Sequence, residues 1–415
     1  MSVGLAAVLL TAGALADDYG RCRVFHWGAW LLALGAVVGA VSQEPVLFIV
    51  GRLIQGVAGA ALIAASLGAV AHAFTTPGAR ATASGIWGAS VGAGITVGPV
   101  LAGLLDLAGW WRGLYWALAA ASLVIGQVAT RALAESRSAV PKRIDVPGAV
   151  TLCAAMVLVL VALVEGRQGN LAATVLCGVG AAVFTLAFVA VERRRPFPML
   201  DLALFRRRDF LAATLAALAT GAGIIGLMSF ACTFLVKTMH VSTLAAAGVI
   251  ALWSGTSVVA SLLARTLPAR LAGSPQLVIG LAGVGVAMLT MTGLTPDSSL
   301  LRLVPGLLLA GVASGLLNAG LGRQAVASVP ADQGGLGSGA NNTARYLGSS
   351  IGVTVVSIIA LDPVGTVVSI IALDPVGTVD GMVSGWNYAA VTTGLISLVG
   401  AGVVGVLVRG TAVRR

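Results

Sequence analysis

Apolar runs of about twenty residues, separated by short polar breaks, recur along the whole of this chain. Read as helices, they predict spans near 24–41, 45–73, 79–105, 110–133, 146–164, 171–191, 210–236, 243–264, 275–294, 301–328, 335–361 and 386–408. A run of this length crosses a bilayer's hydrocarbon layer, roughly 30 Å thick, as an α-helix. Lipid offers the backbone no hydrogen-bond partners, so the helix must satisfy its own groups. Residues 1–16 are a shorter apolar stretch. They read as the second half of a further helix whose beginning is missing, which gives about thirteen transmembrane helices. A signal peptide ending at Ala14-Leu15-Ala16 is the competing reading, but no basic residue precedes the run.

The polar breaks test this count. With the 17–23 break placed in the cytoplasm and the sides alternating, nineteen of the 25 Lys and Arg fall on the cytoplasmic side. Arg112, Arg167, Lys237 and Arg302 fall outside, and Arg52 and Arg345 lie within spans. Positive residues concentrate on the cytoplasmic side of membrane proteins, so the N-terminus is expected outside and the C-terminus in the cytoplasm. The net charge of +10 is thereby accounted for without a nucleic-acid partner. Hydrophobic residues make up 58% of the chain and charged ones 10%, with mean hydropathy +0.99. That is too little charge to cover a soluble surface. The four cysteines and three histidines are scattered, so neither a disulfide framework nor a metal site is expected.

The chain repeats itself. Gly85, Gly94 and Gly98 recur 254 residues later as Gly339, Gly348 and Gly352, and Gly56-Val57-Ala58-Gly59 precedes the first set as Gly311-Val312-Ala313-Ser314 precedes the second. Two halves in the same order imply a parallel duplication, the plan of transporters in which the substrate path runs between related bundles. The longest cytoplasmic linkers, 134–145 and 192–209, bracket two helices that have no counterpart in either half. The expected organisation is therefore a truncated N-terminal bundle of about five helices at 1–134, linkers and an inserted helix pair at 135–209, and a six-helix C-terminal bundle at 210–415. Within the last, Val355–Thr366 is repeated without change as Val367–Thr378, read as a tandem duplication in an outer loop.

Four stretches carry chemistry. Gly13-x-Leu15-Ala16-Asp17-Asp18-Tyr19-Gly20-Arg21-Cys22-Arg23 sets acidic beside basic groups in a tight reversal. Arg52-x-x-Gln55-Gly56 puts a cation inside a span, where a charge is expensive and calls for a partner or a purpose, although a position seven residues in from Pro45 also allows it to snorkel to the interface. Gly85-x8-Gly94-x3-Gly98-Pro99-x-x-Ala102-Gly103 predicts a tightly packed face bent by Pro99. Asn341-Asn342-x-x-Arg345 places polar groups one turn apart on the helix that repeats this motif. Met228, Phe230, Phe234 and Trp253 read as core packing or lipid-facing positions rather than as a pocket.

These stretches resemble the major facilitator superfamily, and the inserted pair with the linker Pro198-Met-Leu-Asp-Leu-Ala-Leu-Phe-Arg-Arg-Arg-Asp-Phe210 resembles its fourteen-helix drug:proton antiporter branch. The resemblance implies an all-α polytopic membrane protein with two pseudo-repeated bundles. It implies a conformational latch at Gly13, Asp17, Gly20, Arg21 and Arg23, with Asp18 standing where the family usually has a basic residue. It links Arg52, with Gln55 beside it, to proton movement, and Gly85, Gly94, Gly98, Pro99 and Gly103 to the antiporter motif. By its place at the outer end of a span, Glu165 is read as a candidate carboxylate, with Asp106 similarly marginal. Asn318, Asn342 and Arg345 are candidates for a polar transport path, and structural hydrogen bonding between helices accounts for them as well. The expected function is proton-coupled efflux of hydrophobic or cationic small molecules by alternating access, from a cell membrane, by a monomer with no cofactor. A solute-uptake symporter of the same fold and a truncated, non-functional transporter are the alternatives. A membrane-embedded enzyme is disfavoured, because no acidic, histidine or serine cluster shares one membrane depth.

Overall fold

The computed structural model describes residues 2–412 except 75, 139–144, 196–197, 269, 331 and 362–378. Most of the tandem repeat, along with Lys142 and Arg143, lies outside the described residues. Among them every regular element is helical. In chain order these are α1 (Ser2–Tyr19), α2 (Arg21–Val41), α3 (Pro45–Ala73), α4 (Pro77–Leu107), α5 (Gly113–Ala132), α6 (Val146–Arg167), α7 (Leu171–Arg194), α8 (Arg208–Thr220), α9 (Gly226–Thr238), α10 (Thr243–Leu263), α11 (Ser274–Thr290), α12 (Val304–Ala327), α13 (Gly334–Leu361) and α14 (Val379–Ala412). A π-helical segment, Gly221–Ile225, joins α8 and α9 into one rod. Eleven of the rods are long and apolar enough to cross a membrane, and the chain is a multi-pass membrane protein.

Helix ends follow local chemistry. Pro45 opens α3 at a position where its missing N–H costs nothing. Asp145, Asn170 and Ser242 cap α6, α7 and α10 by accepting from the amides of Gly148, Ala173 and Ala245. The break between α1 and α2 is shorter than the 17–23 loop expected from sequence. Helix continues to Tyr19 and resumes at Arg21, and only Gly20 intervenes, at φ +115°. A left-handed angle of that kind needs glycine.

Side-chain exposure is that of a membrane protein. On α7 the buried residues Ala181, Phe188 and Glu192 share one face. The opposite face presents Leu176, Val179, Val183 and Leu186 outward. An exposed apolar surface this continuous on several helices is what lipid contact requires.

Contacts divide the chain into two compact units, each built from separated segments. The first comprises Met1–Ala83, Leu105–Leu211 and Gly322–Tyr346, and the second Ser84–Leu104, Ala212–Leu321 and Leu347–Arg415. In the first, α2 lies close along α3. A Cβ on Gly35 would stand 2.9 Å from the Gln55 amide nitrogen and 3.0 Å from the Gly51 carbonyl. In the second, Gly348 and Gly352 of α13 let that helix meet the α8–π–α9 rod backbone to backbone. A Cβ on Gly352 would fall 2.8 Å from Ala222 Cα and closer still to its carbonyl. From α14, the Ser397 side chain abuts the π segment at Gly223. Nearby, Phe234 stacks on Trp386 with ring centroids 4.4 Å apart, and the Trp386 indole N–H donates to the Met291 carbonyl. Phe230 and Phe234 pack with Trp386, and Met228 and Trp253 are buried as well.

One expectation about the antiporter-motif helix needs correction. α4 is continuous through Pro99, but Gly94 and Gly98 are not its tight-packing face. A Cβ at either would meet no described atom within 4 Å. The close face is Gly85, Gly88 and Gly92, with Thr96 continuing it, and it runs against α10. Ser261 donates to the Gly85 carbonyl (3.1 Å), and the Thr96 hydroxyl bonds the Ser254 hydroxyl (2.8 Å). The spacing of three and four residues along this seam follows the helix period, which Gly94 and Gly98 leave by facing about a third to half a turn away.

Two substitutions separate these faces. Gly352→Ala is expected to destabilise the protein by about 1–3 kcal/mol, because backbone must move to admit the methyl group. Gly94→Ala is expected to be neutral or stabilising by up to about 1 kcal/mol, because it adds helix preference without a clash. Thermal unfolding in detergent micelles distinguishes them.

Candidate functional site

The acidic and basic residues of the α1–α2 junction converge on the start of α13, within the first unit. Asp17 is 4% exposed and Arg21 1% exposed. One helical turn separates them, and Arg21 grips Asp17 Oδ1 through Nε (2.9 Å) and Nη2 (2.7 Å). The other donors to this carboxylate come from 318 and 319 residues away. The Gly335 amide donates to Oδ1 (2.9 Å) and the Leu336 amide to Oδ2 (2.8 Å). These are first-turn amides of α13, which have no carbonyl partner inside their own helix. The positive end of the helix dipole adds to their attraction for an anion. Arg21 Nη2 also donates to the Asp332 carbonyl (2.9 Å), so the guanidinium ties down the residues that lead into α13.

Glycine makes this approach possible. A Cβ on Gly13 would collide with the Gly335 carbonyl, and one on Gly335 would fall 2.6 Å from the Gly13 carbonyl and 2.8 Å from Asp17 Oδ1. The structure therefore brings together Gly13, Asp17 and Arg21 of the residues expected there. Gly20 supplies the turn. Arg23 stands at the edge, its side chain 72% exposed and its Nε 3.7 Å from Glu135, a separation and exposure at which an ion pair contributes little.

Several partners were not legible in the sequence. Glu135, just beyond α5, lies over Gly20 and accepts from the amides of Cys22 and Arg23, both at 3.1 Å. It caps α2 from 113 residues away, since Gly20 has no side chain to do so. The stretch that follows pairs with the same junction: the Arg21 amide donates to the Ser136 carbonyl (2.9 Å) and the Ser138 amide to the Asp17 carbonyl (2.7 Å). The Ser138 hydroxyl reaches Asp332 Oδ2 at 3.1 Å. The available signals were the lone acid in Ala134-Glu135-Ser136 and the side-chain-free Gly334-Gly335 at a helix start.

The second group, also in the first unit, joins α2, α3 and α5. Arg52 donates to Gln55 Oε1 (2.9 Å), and Gln55, fully buried, donates onward to the Gly35 carbonyl (2.9 Å). The Arg52 guanidinium stands 6.0 Å from the centre of the Tyr115 ring, within cation–π range. Gln55 holds one edge of the guanidinium, so the remaining N–H groups of this half-buried cation are oriented by a fixed neighbour. Glu165 has a different setting. It lies in the last turn of α6, where it accepts from the Asn170 side chain (2.8 Å).

Of the polar-path candidates, Asn342 and Arg345 lie one turn apart on α13 in the first unit, both buried. Asn342 donates to the Ser338 carbonyl (3.0 Å), and Arg345 lies by the Tyr346 ring. Asn318, buried on α12, belongs to the second unit, where its backbone faces Gly88 of α4. Arg112 closes the α4–α5 turn over Trp111 and donates to the Ser42 carbonyl (2.9 Å).

A two-unit helical membrane protein with polar groups gathered at a helix start and charges inside its spans defines the class. The sequence pattern of the Major Facilitator Superfamily matches residues 1–353, and the chain belongs to that family, whose members are transporters rather than enzymes. It is 29% identical over 86% of its length to the multidrug resistance protein Stp of Mycobacterium tuberculosis. It is 30% identical over 88% of its length to a probable actinorhodin transporter of Streptomyces coelicolor. The chain spans about two thirds of the length of each of these relatives, 67% and 65%. Among solved structures, the human organic anion transporter MFSD10 (TETRAN) shares the fold with a TM-score of 0.69 at 18% identity, covering 97% of this chain and 81% of its own.

Removing one member of the buried pair leaves the other charged and desolvated. Asp17→Ala or Arg21→Ala is expected to cost about 3–5 kcal/mol, and the double substitution less than the two together. Glu135→Ala is expected to cost about 1 kcal/mol, the usual value of a helix cap. A double-mutant cycle on thermal stability checks the first, and the single variant the second.

Proposed function

We propose that this protein exports hydrophobic or cationic small molecules across a cell membrane in exchange for protons, by alternating access. The reading is carried by its similarity, along most of its length, to proteins named for multidrug resistance and for transport of actinorhodin. In this scheme the N-terminus is outside and the C-terminus cytoplasmic, which follows the charge imbalance of the loops. The protein works as a monomer in the lipid bilayer, without a cofactor or a nucleic-acid partner, and the proton gradient supplies the energy.

The residues take the following roles. Asp17 and Arg21 hold the start of α13 in one conformation. Its release requires water to replace four charge-assisted donor contacts on Asp17, so the element has two discrete arrangements rather than a continuum. Arg52, oriented by Gln55, is a cation whose free N–H groups respond to a carboxylate or substrate gaining or losing a proton, and Glu165 is a candidate for that carboxylate. Gly85, Gly94, Gly98, Pro99 and Gly103 lie on the helix that moves, and among the described residues no atom lies within 4 Å of where a Cβ at Gly94 or Gly98 would stand. Asn318, Asn342 and Arg345 are polar contacts for substrate or coupled protons.

Ethidium efflux from cells expressing the chain tests the reading. The expected result is efflux that stops when a protonophore collapses the gradient and that falls at least about tenfold with Arg52→Ala, a loss of about 1.4 kcal/mol or more of transition-state stabilisation. Efflux indifferent to the protonophore, from protein shown to be in the membrane, would overturn proton coupling. No efflux from the unaltered chain would count against ethidium-like substrates.

A further inference from the structure

We infer that the inserted helix pair and its linker are a wedge that seats the latch, with Leu204, Leu200 and Phe188 as positioning residues for the Asp17–α13 contact. The inference takes the exporter reading only for what the latch is used for. Its physical basis lies wholly within the first unit.

The linker after α7 does not hang free. Glu192 at the end of α7 is buried and accepts from the Leu200 amide (3.3 Å), turning the chain back on itself. Asp145, which caps α6, approaches Arg195 Nε at 3.6 Å. A Cβ on Gly148 would fall 2.8 Å from Asp145 Oδ2 and 2.9 Å from Glu192 Oε1, so both carboxylates close over one glycine at the mouth of the inserted pair. Beyond this clamp the linker forms a 3-10 helix, Leu202–Arg206, capped by Asp201, whose side chain accepts from the Ala203 amide (2.8 Å).

The clamp aims Leu200 and Leu204 into an apolar cluster, where each is 4% exposed. They pack there with Leu10 of α1, Leu152 of α6, Phe188 of α7 and Leu336 of α13. Leu336 is the link. Its side chain is in the cluster, and its amide is one of the donors to Asp17. Ala14, three residues before Asp17 and on the same face of α1, packs on the same cluster. Both halves of the Asp17–α13 contact are thus set on one apolar plug, to which the inserted pair and its linker contribute Leu152, Phe188, Leu200 and Leu204, with Phe210 and Val329 packed beside them. Removing plug volume leaves a cavity beneath the first turn of α13 and lets its amides drift from the carboxylate.

Amide exchange reads this contact directly, because Gly335 and Leu336 donate to Asp17 and exchange only when that bond opens. The experiment is hydrogen–deuterium exchange by mass spectrometry on the full chain in lipid nanodiscs, without substrate or gradient. The expected result is that Leu204→Ala speeds uptake at 334–340 at least about tenfold, approaching Asp17→Asn, and that Leu204→Met restores the protected rate. Leu281→Ala, a truncation of equal size in the buried core of the second unit, is expected to leave 334–340 as in the unaltered chain. Phe188→Leu gives the same direction with a smaller step if Leu204→Ala does not insert. Faster exchange confined to 198–210, or equal acceleration by Leu281→Ala, would overturn the inference. Ethidium efflux plays no part in this test, so a failure of the exporter reading is seen separately.

Discussion

The buried carboxylate of Asp17 is the constraint around which the first unit is arranged. A charge removed from water is costly unless its lone pairs are filled. Asp17 is filled by one guanidinium from its own junction and by two amides from a helix start more than three hundred residues later. Everything close to it serves that convergence. Gly13 and Gly335 remove the side chains that would hold α1 and α13 apart, Gly20 turns the chain so that Arg21 points back, and Glu135 caps α2 where Gly20 cannot. The interaction is strong because it is dry, and its two amide donors are lost or kept together because they share one helix end.

The two units join their helices with a different balance of means. In the first, charge and amide donors around a few buried polar residues act beside close glycine contacts such as Gly13 on Gly335. In the second, the contacts gather where side chains are absent. Gly348 and Gly352 meet the π segment of the α8–α9 rod, and Gly85, Gly88 and Gly92 meet a row of serines on α10. Small residues allow this in a membrane, where apolar side chains gain nothing by leaving lipid for a helix neighbour and contact must come from close packing and hydrogen bonds. The π segment, with its wider turn, sits where two helices press on one rod from different directions.

Sequence reasoning reached the helices because lipid imposes a length and an apolarity that few other constraints imitate. The predicted span 45–73 coincides with α3 and 335–361 begins one residue inside α13. It also singled out Asp17 and Arg21, as opposite charges in the break between two spans, and Arg52 with Gln55, as polar groups inside a span. It went wrong at Gly94 and Gly98. Their spacing of four satisfies a packing face, but the same spacing holds on any side of a helix, and only the neighbour α10 selects the Gly85, Gly88, Gly92 face.

By itself, then, the sequence determined the class, the placing of most helices and the residues whose burial demands an explanation, because each of these depends on local composition weighed against a bilayer. The tertiary structure alone decided which groups meet. Glu135 is an ordinary linker acid until it is found over Gly20, and Leu200 and Leu204 are ordinary linker leucines until they are found packed against Leu336. Contacts between residues 113 or 319 positions apart leave no periodic trace in the chain. They follow from how closely helix backbones approach, and that distance is set by the summed packing of many side chains rather than by any one motif.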